Sequence, residues 1–200
     1  MSGKRKIISL KVKQAVTIRL ILIFVFASLI GALLTKNSSY AASCFDSIQY
    51  KTSIAKSNAF EFLQLSISSC IKLFLFFAIS SISAMTFFCS PTIHGITVFY
   101  GVLCGIRIGV LVNCGFLSSH FAPAAIWIAL ALVIAILLCL GNVYFLNIHK
   151  QFLFSRKPHY AKGKIYVSPL IKNWASNSII MAITYFLIWT LGSMLIYITL

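Results

Sequence analysis

The sequence predicts an all-α fold, a polytopic bundle of about five transmembrane helices with its N-terminus inside and its C-terminus outside the cytoplasmic boundary. Three observations carry that prediction. The 200-residue chain is 60% hydrophobic and 10% charged, with a mean hydropathy of +0.97, whereas a soluble domain is about a quarter charged. Its apolar residues fall in runs of about 20, each long enough to cross a hydrocarbon layer of about 30 Å. Its basic residues gather mainly outside those runs. A transmembrane barrel is excluded, because barrel strands alternate polar and apolar residues over short segments and these runs are continuous in Leu, Ile and Phe.

The first span runs from Val16 to Thr35 behind a basic leader, residues 1–15, that holds Lys4, Arg5, Lys6, Lys11 and Lys13. A secretory signal begins in the same way, and Ser39-Tyr40-Ala41 has the small-x-small form of a cleavage site. The run is long for a signal and an apolar bundle follows it, so the first span is expected to be retained. Residues 36–70 form a polar, Ser-rich segment, expected outside the cell, with the only two acids of the chain, Asp46 and Glu61. Within it, Phe60, Leu63, Ile67 and Ile71 recur at helical spacing. That spacing fits either an amphipathic helix lying along the interface or a helical extension of the second span.

The second span covers Ile71 to Phe88 and is expected to end in a tight turn at Cys89-Ser90-Pro91. The third runs from Ile93 to Cys114, making a helical hairpin with the second. Pro123 suits the first turn of a fourth helix that reaches Leu146. A basic loop over residues 147–176 follows, with Lys150, Arg156, Lys157, Lys162, Lys164 and Lys172, and the fifth span covers Asn177 to Thr199. Leader and loop are separated by four spans and must share one side. Retention of Lys and Arg assigns that side to the cytoplasm. Residues 1–200 thus read as a single integral membrane domain of a multi-pass cell-membrane protein.

The net charge of +15 raises the question of nucleic acid. The basic residues flank the spans while the aromatics lie inside them, whereas a nucleic-acid surface interleaves the two, so membrane lipids are the expected contact of these flanks. Six cysteines lack any CxxC or Cys/His ligand spacing, so neither a metal site nor a cofactor is expected. Cys44, Cys70 and Cys114 fall toward the outer face, where a disulfide among them is feasible. Cys89, Cys104 and Cys139 read as small apolar residues.

One local pattern stands out: Gly101, Gly105 and Gly109 at i, i+4 and i+8 on one face of the third span. Small residues at that spacing let helix backbones approach closely in lipid. Ser80 and Ala84 on the second span, or Ala125 and Ala129 on the fourth, are the expected facing groove. Arg107 reads as the only charge well inside a span, at an insertion cost of at least about 2.5 kcal/mol. Helical periodicity turns it away from the glycines, alongside Tyr100, Cys104, Leu111 and Cys114. Two readings stay open: snorkelling to the outer headgroups, or contact with an acid or carbonyl of a partner protein. No catalytic residue is expected. The spans hold no acid, and the thiol–imidazole combinations His94 with Cys104 and His120 with Cys114 match no peptidase spacing. A small-solute transporter subunit is the stronger competing function, and a membrane thiol peptidase the weaker.

The stretch Ser83-Ala-Met-Thr-Phe-Phe-Cys-Ser-Pro91, followed by Phe99-Tyr-Gly101-Val-Leu-Cys-Gly105-Ile-Arg-Ile-Gly109, comes after a basic leader, a first span and an outer amphipathic segment, with Pro123 opening the next span. In this order the chain resembles the stage II sporulation protein M family. It departs from that pattern at Tyr100, where a basic residue or Asn often precedes the first glycine, and at Ala84, where glycine is frequent. The resemblance implies a membrane scaffold without chemistry of its own. Its partners would be septal peptidoglycan-remodelling enzymes, peptidoglycan hydrolases among them, recruited during engulfment in sporulation.

Overall fold

The computed structural model describes residues 2–36, 46, 53, 58–113, 118, 121–155 and 164–199. They form five helices: α1 (Ser2–Leu34), α2 (Ala59–Ser83), α3 (Cys89–Asn113), α4 (Phe121–Ser155) and α5 (Lys164–Thr199). Among the described residues there is no strand. Each helix contains a stretch long and apolar enough to cross a membrane, namely Gln14–Leu34, Phe60–Ser83, Cys89–Asn113, Phe121–Leu153 and Pro169–Thr199. Helices are the form such segments take, because each satisfies its own backbone hydrogen bonds where no water can.

The helices run past the limits that hydropathy sets. α1 continues back through the basic leader to Ser2, α4 passes Leu146 to reach Ser155, and α5 begins at Lys164. The basic loop expected over 147–176 is therefore helical on both flanks, and Arg156, Lys157 and Lys162 lie outside the described residues. Hydropathy marks where hydrocarbon ends, but Lys, Arg and Gln are good helix formers and give the backbone no reason to stop there. Pro169 sits inside α5, in the stretch that precedes the expected fifth span.

Residues 59–70 resolve the choice between an interfacial helix and an extension of the second span. They belong to one unbroken helix with residues 71–83. No Gly or Pro interrupts Ala59–Ser83, and the Asn58 side chain caps its start, accepting from the Phe60 N–H at 3.0 Å. The turn between the second and third helices also shifts. It occupies residues 84–88, and Cys89-Ser90-Pro91 forms the first turn of α3 instead of the break before it. Proline is tolerated there because a first-turn N–H has no intrahelical acceptor to lose. Pro123 occupies the equivalent region of α4, as expected.

Contacts set the helix directions. Phe24, Ser28 and Ala32 of α1 meet Gly101, Gly105 and Gly109 of α3 in the same order, so these helices run parallel. Trp174 reaches Ser81 and Trp189 reaches Ser66, so α5 runs against α2, while Tyr144 meets Asn173 across the antiparallel α4 and α5. The chain alternates up and down. One end of the bundle carries the 84–88 turn, Lys150 and Lys172. Leu20 packs there with Ala84, Cys89 and Phe145, which brings the start of α1 and the leader to the same end. The leader and the residues around Lys150 and Lys172 thus share an end. The other end carries Lys36, Asn58, Asn113 and Phe121.

The outer surface is apolar: Phe26, Leu33, Ile82, Ile136, Ile183 and Leu191 are among many large hydrophobic side chains left exposed. The interior buries apolar side chains too, such as Leu20, Ile134 and Phe145, and with them polar groups including Ser80, Thr97, Asn142 and His149. Lipid explains both, since it solvates Leu and Ile as well as a protein core does, and gives a hydroxyl or amide no partner.

Candidate functional site

The three glycines of α3 build the tightest seam in the molecule, and its other side is α1. A Cβ at Gly101 would lie 2.7 Å from the Ala27 Cβ and 2.9 Å from the Phe24 carbonyl oxygen. One at Gly105 would collide with the Ser28 carbonyl oxygen, and one at Gly109 with the Thr35 hydroxyl. Gly31 on α1 completes the seam, with its own missing Cβ replaced by the Val102 carbonyl oxygen. At the far end the Asn113 amide donates to the Thr35 hydroxyl at 2.9 Å, and that hydroxyl donates to the Ala32 carbonyl at 2.6 Å.

The facing groove expected on the second or fourth span is therefore corrected to α1. Ser80 and Ala84 are buried elsewhere, and Ala129 is exposed. A signal was present in the sequence, because Ala27, Gly31 and Thr35 repeat the four-residue spacing of Gly101, Gly105 and Gly109. Several helices offer small residues, however, and only shape complementarity selects the pair.

Arg107 is exposed, turned away from the α1 seam. Tyr100, Cys104 and Leu111, grouped with it by periodicity, are buried, so Arg107 stands at the rim between the interior and the lipid face. Cys114 lies outside the described residues. Among the described residues no ion pair engages Arg107, and Glu61 is held by the Asn58 amide at the start of α2, 3.4 Å away. Arg107 lies six residues before the end of α3, about 9 Å by helical rise.

Arg107 is not the only charge within an apolar helix. The early start of α2 carries Lys72 to the middle of that helix, where the sequence placed it at the edge of a span. Phe76 packs on Phe99 with ring centroids 5.5 Å apart. Counting from that pair along the antiparallel helices, positions 72 and 107 differ in depth by about 6 Å, roughly one turn.

A second set of polar groups, at the basic end, is not anticipated by the sequence reading. The Asn142 amide donates to the Thr97 hydroxyl at 3.1 Å, and that hydroxyl donates to the Ile93 carbonyl at 2.8 Å. His149 donates from Nδ1 to the Ala84 carbonyl at 3.2 Å, and the Trp174 indole donates to the Ser81 carbonyl at 3.1 Å. Ser81 and Ser178 hydroxyls pair at 3.0 Å. Among the described residues the buried Ser80 hydroxyl has no hydrogen-bond partner. The pattern Ser80-Ser81-x-Ser83 beside Asn142 and His149 within apolar runs was the available signal. Interhelical bonds of this kind in membranes average about 0.6 kcal/mol, so they orient α2, α4 and α5 more than they hold them.

His94 and Cys104 are not brought together. They lie ten positions apart on one helix, about 15 Å by helical rise, and His94 donates to the Ser90 carbonyl at 2.7 Å. His120 lies outside the described residues, as do Cys44 and Ser39-Tyr40-Ala41. Cys70, expected near the outer face, is a free thiol buried along α2, and Cys89, Cys104 and Cys139 are buried free thiols too. Among the described residues no three His, Cys, Asp or Glu side chains converge as a metal site would require.

Fold and seam together define the class, a multi-pass α-helical membrane protein. Comparison of the chain with family models, with curated proteins and with solved structures finds no match in any of the three.

Proposed function

We propose that this protein is a membrane scaffold, which holds partner membrane proteins at the perimeter of its bundle and contributes no chemistry of its own. Arg107 is the observation that supports this reading. It is an exposed cation about 9 Å inside its helix end, in a chain whose two acids both belong to the 36–70 segment. A carboxylate from a neighbouring protein would offset the insertion cost of that charge. The glycine stripe is occupied by α1, so it is the exposed Arg107 rim that stays open to a partner.

The resemblance alone carries the narrower form of the proposal, in which the partners are septal peptidoglycan hydrolases recruited during engulfment in sporulation. Crosslinked pull-down from the native membrane tests the scaffold. Arg107→Leu should reach normal membrane levels yet recover about tenfold less partner, the ratio that loss of about 1.4 kcal/mol gives. Arg107→Lys should retain part of the recovery. Equal recovery by wild type and Arg107→Leu would remove the proposal.

The same reading sets the basic end in the cytoplasm of the cell and the 36–70 segment outside, because Lys and Arg resist translocation. A reporter fused after residue 160 should then be active only if it works in the cytoplasm. Activity of an export-dependent reporter at that position would reverse the orientation. One observation favours a second reading, a small-solute transport subunit: Ser80, Thr97, Asn142 and His149 are polar groups buried inside the bundle. Solute flux in proteoliposomes that is lost in Asn142→Leu but kept in Arg107→Leu would select it.

A further inference from the structure

The tight seam leaves a trough on the lipid side of the same helix pair. Because the α1 and α3 backbones touch at their glycines, the side chains flanking the seam stand up as walls: Ile18, Leu22 and Phe26 from α1, Val98 and Val102 from α3. The groove has a volume of about 720 Å³ and is open along one side, and Arg19 is the one charged residue in its lining. Arg19 is exposed, and it lies five residues inside the start of the apolar stretch Gln14–Leu34, about 7.5 Å by helical rise and within snorkelling reach of the headgroups at the basic end. From Arg19 to Ile30, the last residue of α1 in the lining, the groove extends about 16 Å. Measured from Gln14 it runs from about 7.5 Å to about 24 Å into the span, so a chain entering beside Arg19 passes the middle of a layer of about 30 Å before it reaches Ile30.

The charge balance points outward. Glu61 lies in the first turn of α2, at the opposite end of the bundle from Arg19, and Asp46 falls between α1 and α2, so among the described residues no Asp or Glu side chain pairs with Arg19. We infer that this groove binds one anionic phospholipid, with the phosphate on the Arg19 guanidinium and one acyl chain lying along α1 toward Ile30. A lipid fits better than a soluble anion, because the groove opens into the hydrocarbon and every other wall residue is apolar. An anionic lipid fits better than a zwitterionic one, whose own ammonium already neutralises the phosphate, and the leader basic residues Lys11 and Lys13 precede Arg19 on the same helix, toward the headgroups.

The full chain, extracted from nanodiscs of equal phosphatidylglycerol and phosphatidylcholine and weighed by native mass spectrometry, tests this. Wild type should retain about one lipid per chain, with phosphatidylglycerol favoured about fivefold, the ratio that about 1 kcal/mol per basic residue near an anionic surface gives. Arg19→Gln should keep a bound lipid and lose the preference. Val98→Trp fills the groove from an exposed position and leaves Arg19 in place, so it should lose the lipid itself, while Ile183→Trp on the outer face of α5 should behave as wild type. Equal retention of both lipids by wild type would overturn the site, as would unchanged retention in Arg19→Gln and Val98→Trp. A lipid-free dimer abolished by Val98→Trp would also overturn it, by giving the groove to a second copy.

Discussion

Gly105→Leu is expected to drive α1 off α3 and to cost at least about 3 kcal/mol, the upper end of what overpacking costs where neighbours can move. Here they cannot move cheaply. A Cβ at Gly105 would meet the backbone of Ser28, its carbonyl oxygen first, with the carbonyl carbon at 2.7 Å and Cα at 2.8 Å. A backbone atom of one helix retreats only if the whole helix does, and the contacts at Gly31, Gly101 and Gly109 would open with it. Two other glycines calibrate the effect. A Cβ at Gly192 meets the end of the Leu130 side chain at 2.5 Å, which a rotamer change can relieve, and one at Gly95 meets nothing within 4 Å. Gly95→Ala should fall within about 1 kcal/mol of wild type, on the favourable side if helix propensity decides. Reversible unfolding in mixed micelles measures all three. A cost below about 1 kcal/mol for Gly105→Leu would show that the seam does not hold the bundle together.

Phe145→Ala is the other large effect. Among the described residues Phe145 is the largest fully buried side chain, packed edge-on against Phe77 at 5.5 Å between centroids and clustered with Leu20, Cys89 and Ile93. In a soluble core such a truncation loses both the transfer free energy and the packing, about 3–5 kcal/mol together. In lipid the transfer contribution is nearly absent, because the unpacked side chain meets acyl chains instead of water. The lower end, about 3 kcal/mol, is therefore expected, arising from the cavity alone. Ile198→Ala, at a position 77% exposed to the surroundings, should change stability by less than about 0.5 kcal/mol. Unfolding titrations of the two variants separate these cases, and equal costs would mean that burial inside the bundle does not govern stability here.

Much of the architecture was legible in residue order. The five apolar stretches could be counted, and Pro123 was assigned to its helical turn from local rules about backbone donors. The misplacements had local causes as well. Pro91 reads as a stop signal, yet it serves in the first turn of α3, since a proline is equally at home just after a break and just inside a helix. Ser-rich residues 59–70 read as polar, yet α2 begins at Ala59, because serine in an apolar setting is a tolerable helix residue when no glycine or proline intervenes.

What the sequence by itself determined is the number of helices and the sharing of one end by the basic leader and the residues around Lys150 and Lys172. Both follow from properties of single segments: each must satisfy its own backbone hydrogen bonds and be long enough to cross. Only the tertiary structure decided that α1 receives the glycine stripe, that Arg107 stands at the lipid rim, that Lys72 lies in mid-helix, and that Arg19 heads a groove. Those facts depend on which helix meets which. In a chain whose helices are apolar on every side, periodicity loses the contrast that separates inside from outside in water, and complementary shape between distant segments takes its place.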